Sequence, residues 1–295
     1  MNFNLGAWSA ARLDRVEQAL SEWVVADAPA GLGEAMRYAV LDGGKRLRPL
    51  LVLAASEAVN GNEAAALRAA CATELIHAYS LVHDDMPCMD NDVLRRGKPT
   101  VHVKFGQAQA LLAGDALQAL AFELLAPEDA SIPAAIQAAL CRLLARAAGH
   151  AGMAGGQAID LASVGRALTE AQLREMHRLK TGALLEGSVM MGAACGDATA
   201  AQLAALRVYG SAMGLAFQVI DDILDVTADS ATLGKTAGKD AAQDKPTYVS
   251  LLGLERSRTY AQQLLAQALQ ALASSSLRDT QALQALAMMV VNRDN

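Results

Sequence analysis

The chain has 295 residues, of which 53% are hydrophobic and 4% aromatic, and its formal net charge is -6. This length and apolar fraction are enough to bury a large core. The acidic balance argues against a general nucleic-acid-binding protein, which needs a basic surface to replace phosphate counterions. Ala, Leu, Gln, Glu and Arg are abundant, and these residues lose little free energy on entering a helix. The composition therefore favours a soluble all-α protein.

The N-terminal segment and the cysteines bear on where the protein works. Asp14 and Glu17 stand where a signal peptide would have its apolar stretch, and no basic cluster precedes them. Apolar runs elsewhere are broken before the roughly 20 residues that a membrane span needs. The cysteines show neither a CxxC pair nor a metal-type spacing; they are Cys71, Cys88, Cys141 and Cys195. We therefore expect a cytoplasmic protein with reduced thiols, no export signal and no membrane span.

Apolar residues recur at helical spacing along most of the chain, beginning with an amphipathic segment over 10–25. The pattern continues over 32–41. Gly43 and Gly44 then interrupt it, and Pro49 is suited to the first turn of a new helix. Further helices are predicted over 50–59, 63–82, 107–125, 134–148, 169–195, 200–226 and 248–272. No strand-like alternation or linker stands out, so residues 1–295 are expected to form one large helical bundle around a cavity. The polar segment 227–247 is expected to be a mobile loop.

Two aspartate clusters follow apolar helices. In DDILD, Asp221 and Asp225 are four residues apart, which places them about 40° apart around a helix. Gln218 shares their face. Asp222 is the remaining carboxylate of this cluster. A single acidic pair is more often a solvated helix end, but two such clusters suit magnesium shared with substrate phosphates.

The other cluster, DDMPCMD, needs a distorted helix if its carboxylates are to converge. Asp84 and Asp90 are six residues apart, about 240° around a regular helix, and would face apart. Pro87 removes a backbone donor and crowds the preceding turn. We therefore expect the helix to distort near Pro87 and to bring Asp90 back toward Asp84 and Asp85.

Basic residues lie close to both clusters in sequence. Arg95, Arg96 and Lys98 follow the first cluster in a short Gly/Pro-containing loop, and Lys45, Arg46 and Arg48 lie at a helix junction. Free backbone N–H groups at a helix start add to the attraction for phosphate. His77 lies seven residues before Asp84 on the same face, as either a core histidine or a ligand to a second diphosphate. Lys235, in the polar segment, suits closure over a ligand.

Motifs spread over nearly the whole chain carry a family resemblance. They are GGKRLRP at 43–49, HAYSLVHDDMPCMDNDVLRRGKPT at 77–100, GGQAIDL at 155–161, KTGALLEGS at 180–188, FQVIDDILD at 217–225 and LGKTAGKD at 233–240. The sequence resembles the trans-prenyl diphosphate synthases, and within them the bacterial farnesyl diphosphate synthases. Asn91 departs from the commonest pattern of that group, which has an acidic residue there.

The resemblance implies an all-α homodimer with a three-magnesium site, in which manganese could substitute. Asp84 and Asp90 would be metal ligands supported by Asp85, and Asp221, with Asp222 and Asp225 nearby, would complete the site. The positions that match isopentenyl diphosphate ligands are Lys45, Arg48, His77 and Arg96. The positions that match residues around the allylic diphosphate are Arg95, Lys180, Thr181, Gln218 and Lys235.

The reaction that the resemblance implies is ionisation of an allylic diphosphate, attack by isopentenyl diphosphate on the carbocation, and loss of a proton. Lys180 and Thr181, near a helix irregularity expected at Gly182, and Gln218 would turn oxygen dipoles toward the cation. Tyr79 and Ser80 lie about 7.5 Å and 6 Å below Asp84 along the helix axis. An aromatic residue at the position of Tyr79 goes with a C15 product in the resembling enzymes.

Three other readings remain open from sequence. A geranyl or geranylgeranyl diphosphate synthase would differ only in cavity depth. A terpene cyclase is disfavoured by the intact DDILD and by the basic residues at 43–48. A non-catalytic regulatory subunit would typically have lost one aspartate cluster, and both are present here.

Overall fold

Along the described residues, 3–41, 43–166, 168–227 and 247–293, the computed structural model consists of α-helices and one short hairpin. The helices are α1 (Leu5–Trp23), α2 (Leu32–Val40), α3 (Leu47–Ala58), α4 (Glu63–Asp84), α5 (Val101–Phe105), α6 (Gln107–Leu125), α7 (Ala134–Ala148), α8 (Met153–Ala162), α9 (Glu170–His177), α10 (Ala183–Ala193), α11 (Ala200–Thr227), α12 (Tyr248–Leu252), α13 (Leu254–Ala273) and α14 (Gln281–Val291). A 3₁₀ turn occupies Pro29–Gly31, and a π-helical segment, Arg178–Gly182, joins α9 to α10. Strand β1 (Leu94–Arg95) pairs antiparallel with β2 (Lys98–Pro99). The predicted all-α class is confirmed.

Two predicted helices, 107–125 and 134–148, have the observed bounds of α6 and α7. The prediction over 169–195 covers α9, the π-helical segment and α10, and the one over 248–272 is divided at Gly253, whose φ is 81°. The sequence pattern did not predict α5, α8, α14 or the hairpin. In α8, glycines lower the helix propensity, and tertiary packing outweighs it. The predicted loop over 227–247 falls outside the described residues except at its two ends.

Helix α4 is at the centre of the bundle. It packs against α6 and α3, and also contacts α1, α2, α7 and α10. Buried residues run without a break from Ala69 to Ile76, so the helix is buried on all sides rather than along one stripe. At its start the Asn62 side chain accepts a hydrogen bond from the Ala65 N–H, at 2.8 Å, which caps the helix. The other end, at Asp84, carries carboxylates out of this apolar core.

On the other side of the bundle, α10 packs against α3 and α11, and α11 packs along α13. Two helices, Gln107–Leu125 and Ala200–Thr227, are long and apolar enough to cross a membrane. Of their most apolar stretches, 39% and 50% are buried inside the protein. Core helices of soluble proteins pass the same test of length and composition, so these two helices do not establish membrane spans.

The helix junction at 43–49 directs one of its arginines into the core. Arg46 has a left-handed φ of 45° and is 4% exposed. Its guanidinium donates to Glu17 and to Glu74, each at 2.6 Å, and to the carbonyl oxygen of Val40 at 2.7 Å. Arg46 therefore holds α1, α2 and α4 to the start of α3.

We expect an Arg46→Met variant to lose about 3–5 kcal/mol of unfolding free energy, because Glu74 would remain buried without its cation. Urea unfolding followed by circular dichroism measures the loss. Arg258→Met is the matched control, since Arg258 and Glu255 form an exposed pair whose removal costs about 0–1 kcal/mol. Equal stability of the two variants would contradict a structural role for Arg46.

Candidate active site

The first aspartate cluster forms a turn at the end of α4. The helix stops at Asp84, and the chain turns back so that the Asp90 N–H donates to the Asp84 carbonyl oxygen at 2.8 Å. The expected distortion near Pro87 is therefore present. Asn91, where the resembling enzymes often have an acidic residue, has a left-handed φ of 51°, and Asn adopts that conformation more readily than most residues. Its N–H donates to the Met86 carbonyl oxygen at 3.1 Å.

The carboxylate of Asp84 lies among both anions and cations. Burial raises its pKa above the ordinary value, and nearby Asp90 adds to the rise. Lys180 opposes this shift, as does the side-chain amide of Gln157, which donates to Asp84 Oδ1 at 2.8 Å. A cation placed between Asp84 and Asp90 would relieve their mutual repulsion.

Asp85 has a different role from Asp84 and Asp90. Its carboxylate is buried and takes a bidentate ion pair from Arg95, with Nη2–Oδ1 at 2.6 Å and Nε–Oδ2 at 2.9 Å. Burial acts to lower the pKa of Arg95, but the hydrogen bond and charge of Asp85 outweigh it and raise the pKa. Asp85 thus fixes the arginine of β1 beside the cluster.

Lys180 and Thr181 lie in the π-helical segment, which confirms the irregularity expected near Gly182. The segment packs tightly on α8, since a β-carbon on Gly156 would overlap the backbone of Lys180. Lys180 Nζ donates to Asp160 of α8 at 2.5 Å. Burial acts to lower the pKa of Lys180, but Asp160 and Asp84, with a further contribution from Asp90, raise it overall. Lys180 is therefore a fixed cation facing the first cluster.

The second cluster lies near the end of α11, which continues as a helix through Thr227. Asp222 is buried, and both its oxygens accept hydrogen bonds, from Gln218 Nε2 at 2.9 Å and from the Tyr248 N–H at 2.7 Å. Gln218 Oε1 in turn accepts from the Thr181 hydroxyl at 3.1 Å. These bonds join the second cluster, the π-helical segment and the start of α12.

Asp221 is the more open carboxylate of the second cluster, with 37% of its side chain exposed. Arg293, beyond the end of α14, donates to Asp221 Oδ1 at 3.3 Å, and its guanidinium lies 5.2 Å from the ring centroid of Phe217. Burial and the charge of Arg293 lower the pKa of Lys45, whereas Asp221 acts to raise it. Lys45 and Arg293 therefore lie on the Asp221 side of the site. Asp225, one turn further along α11, is buried.

The remaining basic residues meet at the start of α3. In the tight turn between β1 and β2, Arg96 has a left-handed φ of 52° and donates to the Gly43 carbonyl oxygen. A β-carbon on Gly44 would lie 2.7 Å from Arg96 Nη2, so a larger residue there would displace the guanidinium, and the φ of 130° at Gly44 also favours glycine. Burial, with the charges of Arg48 and Arg96, lowers the pKa of His77 well below its ordinary value. His77 is therefore a neutral imidazole in a cationic pocket.

Arg48 is the least satisfied cation of this pocket. Burial lowers its pKa to about 10, although Glu74 opposes the shift. Within the described part of the chain, its Nε is buried without a hydrogen-bond partner. A buried cation without its full set of partners is costly, and a diphosphate would supply both charge and acceptor oxygens.

The two clusters lie around the same segment. His177, immediately before the π-helical segment, interacts electrostatically with Asp160, Lys180 and Asp221, while Lys180 interacts with Asp84 and Asp90. The geometry thus combines two carboxylate clusters, a fixed lysine between them and a separate pocket of arginines with a neutral histidine. This arrangement can hold two polyphosphate groups, one of them through metal ions.

Known proteins resemble this chain over almost its whole length. Residues 29–287 match the family described as polyprenyl synthetase. The chain belongs to the polyprenyl synthetase family. It is 52% identical over 272 residues to a probable farnesyl diphosphate synthase of Sinorhizobium fredii, covering 90% of this chain and 81% of that protein. It is 45% identical over 295 residues to a chloroplastic geranylgeranyl pyrophosphate synthase of Catharanthus roseus, covering 100% of this chain and 83% of that protein.

A solved structure of the same family has this fold. The geranyltransferase of Helicobacter pylori, complexed with magnesium and isoprenyl diphosphate, has 36% sequence identity and a TM-score of 0.85, with 99% of this chain and 98% of that chain covered. Polyprenyl synthetases are prenyltransferases that use isopentenyl and allylic diphosphates, and they use magnesium. The resemblance inferred from the motifs is therefore confirmed at the level of the family.

The donor set of this polyprenyl synthetase fits magnesium. Among the described residues, no three His, Cys, Asp or Glu side chains already converge as ligands of one ion. Magnesium does not need such a cage, because it commonly keeps one or two carboxylates together with waters and substrate phosphate oxygens. Asp84, Asp90 and Asp221 can supply carboxylate oxygens of this kind, whereas both oxygens of Asp85 and of Asp222 accept hydrogen bonds from the protein.

Sequence reasoning missed three residues of the site. Gln157 and Asp160 lie three apart on α8, within the GGQAIDL motif, and contact Asp84 and Lys180. Their helical spacing was the signal that could have identified them. Arg293 gave no such signal, because it is an isolated arginine near the end of the chain. Lys235, expected to close over the ligand, lies outside the described residues.

The two residues expected to set product length lie below the first cluster on α4. Tyr79 is buried, and burial, together with the charge of Asp84, raises the pKa of its hydroxyl. The Ser80 hydroxyl donates to the His77 carbonyl oxygen at 2.8 Å, which ties it back to its own helix. Tyr79 is therefore the better candidate for a residue that limits the cavity.

Proposed function

We propose that the chain is a farnesyl diphosphate synthase, which condenses isopentenyl diphosphate with dimethylallyl or geranyl diphosphate and releases diphosphate. The observation that carries this proposal is the arrangement of two carboxylate clusters around the lysine of the π-helical segment, beside a separate arginine pocket. The C15 product is supported by Tyr79 below the first cluster and by the name of the relative from Sinorhizobium fredii.

The arginine pocket would bind isopentenyl diphosphate. Arg48 and Arg96 provide charge and forked donors for its phosphate oxygens. His77, being neutral, can donate one ring N–H without adding a charge. Lys45, on the Asp221 side of the site, would add a further positive charge. A pocket distinct from the two clusters would keep the head group of isopentenyl diphosphate away from the diphosphate that leaves.

The allylic diphosphate would lie between the two clusters. Magnesium ions held by Asp84 and Asp90 on one side and by Asp221 on the other, three in our proposal, would neutralise the charge that develops on the leaving diphosphate. Arg95 and Lys180 add fixed positive charge. The Thr181 hydroxyl donates its proton to Gln218, so its oxygen lone pairs remain available to the allylic cation. The released diphosphate would then accept the proton lost from the new product.

The direct test is to incubate the purified chain with isopentenyl and dimethylallyl diphosphates and magnesium, and to determine the length of the dephosphorylated products. A farnesyl diphosphate synthase gives mainly C15. Absence of any elongated product would overturn the proposal. A product that is mainly C20 would instead favour geranylgeranyl diphosphate synthesis, the second candidate, which the name of the relative from Catharanthus roseus supports.

Tyr79→Ala is expected to lengthen the product, because removing the phenol opens space below the first cluster for another isoprene unit. The share of C20 in the product should rise at the expense of C15, as measured by chromatography of the dephosphorylated alcohols. Trp23→Ala provides a control, since the Trp23 ring lies against Arg68, sixteen residues before Asp84 on α4 and away from the first cluster. An unchanged product distribution in Tyr79→Ala would contradict the chain-length assignment.

We further propose that two copies of the chain form a homodimer through the hairpin, α5 and α6. Large apolar side chains are exposed on these consecutive elements: Val93, Leu94, Val103, Leu111 and Leu112. Light scattering should give twice the mass of the chain, and Leu112→Glu should increase the monomer fraction more than Val208→Glu, a change at an exposed apolar residue of α11. A wild-type monomer would exclude the homodimer.

Activity of the purified chain alone would leave no role for an obligate catalytic partner.

A further inference from the structure

Gly114 lies in the interior of α6, a position where glycine lowers the stability of a helix. Glycine in a helix interior is less favourable than alanine, because it loses more conformational freedom on folding. A β-carbon built on Gly114 would overlap the imidazole of His83 on α4, and its three nearest heavy atoms are all in that ring. Gly114 therefore leaves the space that the His83 side chain occupies between α4 and α6.

The orientation of the His83 ring is fixed by a hydrogen bond to α6. Nε2 lies 3.1 Å from the carbonyl oxygen of Leu111, three residues before Gly114. A carbonyl oxygen can only accept, so Nε2 carries the proton in this contact. The ring is thus held at two points of α6, by the hydrogen bond to Leu111 and by the gap at Gly114.

The same ring contacts the residue that is expected to limit the product. Tyr79 lies four residues before His83, on the same side of α4. The two ring centroids are 5.6 Å apart and the planes are inclined at 80°, an edge-to-face contact. Edge-to-face pairs favour one relative orientation, so a fixed His83 restricts the movement of the Tyr79 phenol.

We propose that His83, seated in the gap at Gly114, is a positioning residue that sets product length by holding Tyr79 across the path of the growing prenyl chain. The proposal rests on the proposed function, because it concerns the length of a prenyl product. It adds a determinant on α6, Gly114, and this residue lies 35 positions beyond Tyr79 in sequence. Product length would then depend on the contact between two helices as well as on one aromatic side chain.

The test compares the ratio of C20 to C15 products among variants. Gly114→Ala should displace the His83 ring, and His83→Ala should remove it. Each is expected to raise the C20 to C15 ratio about tenfold, which corresponds to about 1.4 kcal/mol in relative barrier heights. In a Tyr79→Ala background the same changes should have little further effect, because the side chain that they position is absent. Gly6→Ala, in a helix with ordinary space around the glycine, is the matched control.

The outcomes separate this inference from the proposed function. If Tyr79→Ala lengthens the product while His83→Ala and Gly114→Ala leave the ratio unchanged or lower it, the inference is overturned and the proposed function stands. If wild type gives no elongated product, the proposed function itself fails. His83→Ala decides the matter should Gly114→Ala not fold, since it removes the ring without adding an atom to α6.

Discussion

Asp221→Asn is expected to lower kcat/KM for condensation at least about a thousandfold, which is about 4 kcal/mol of transition-state stabilisation. The substitution keeps the size of the side chain but removes a charge from the more open position of the second cluster. In the proposed reaction that charge holds metal ions on the leaving diphosphate, and such electrostatic stabilisation is commonly the largest contribution to catalysis. Steady-state kinetics with geranyl and isopentenyl diphosphates measure the effect.

Asp197→Asn is the matched control for Asp221→Asn, since Asp197 is an exposed aspartate between α10 and α11. It should change kcat/KM by less than about twofold. The circular dichroism spectra of both variants should match that of wild type. An Asp221→Asn variant that keeps a tenth or more of wild-type kcat/KM would contradict a role for this carboxylate in the reaction.

Arg48→Ala is expected to raise KM for isopentenyl diphosphate about a hundredfold, with a much smaller change in KM for geranyl diphosphate. Arg48 is a half-buried cation whose buried Nε has no hydrogen-bond partner in the described structure, so it is suited to a ligand with several acceptor oxygens. Arg48→Lys should recover only part of the affinity, because an ammonium lacks the planar fork. Equal increases in both KM values would contradict the assignment of this pocket to one substrate.

Local patterns in the sequence were enough to predict the acidic clusters. Asp221 and Asp225 follow from helical spacing, since α11 is regular through both. The turn that brings Asp90 back toward Asp84 follows from Pro87, because proline cannot continue the helix. The irregularity at Lys180 and Thr181 was predicted from Gly182 and is a π-helical segment. In each case the determining residues lie within a few positions of one another.

Contacts between distant segments were not predictable in the same way. Arg46 and Arg48 look alike in sequence, yet Arg46 pairs with Glu17 and Glu74 while Arg48 lines the pocket. The difference depends on the left-handed backbone at Arg46 and on partners from two other helices. The pairing of Lys180 with Asp160 and the contact of Arg293 with Asp221 likewise join segments that only the tertiary fold brings together.

The hydrogen-bond partners of Asp85 and Asp222, the second aspartates of the two clusters, were likewise not predictable from the sequence. Asp85 and Asp222 are identical in type to their neighbours, and sequence alone groups them with the metal ligands. In the fold, Asp85 fixes Arg95, and Asp222 links Gln218 to the start of α12. Their oxygens are engaged by protein donors because β1 and α12 pass beside them, which no spacing rule in the sequence indicates.

Calorimetric titration with an allylic diphosphate analogue that cannot ionise tests the central claim most directly, because it measures binding at the two clusters without the reaction. With magnesium present, the analogue should bind wild type, and Asp84→Asn and Asp221→Asn should each weaken binding at least about a hundredfold. Chelation of magnesium should abolish binding to wild type. Undiminished binding without magnesium, or in both variants, would contradict a metal-bridged diphosphate between the two aspartate clusters.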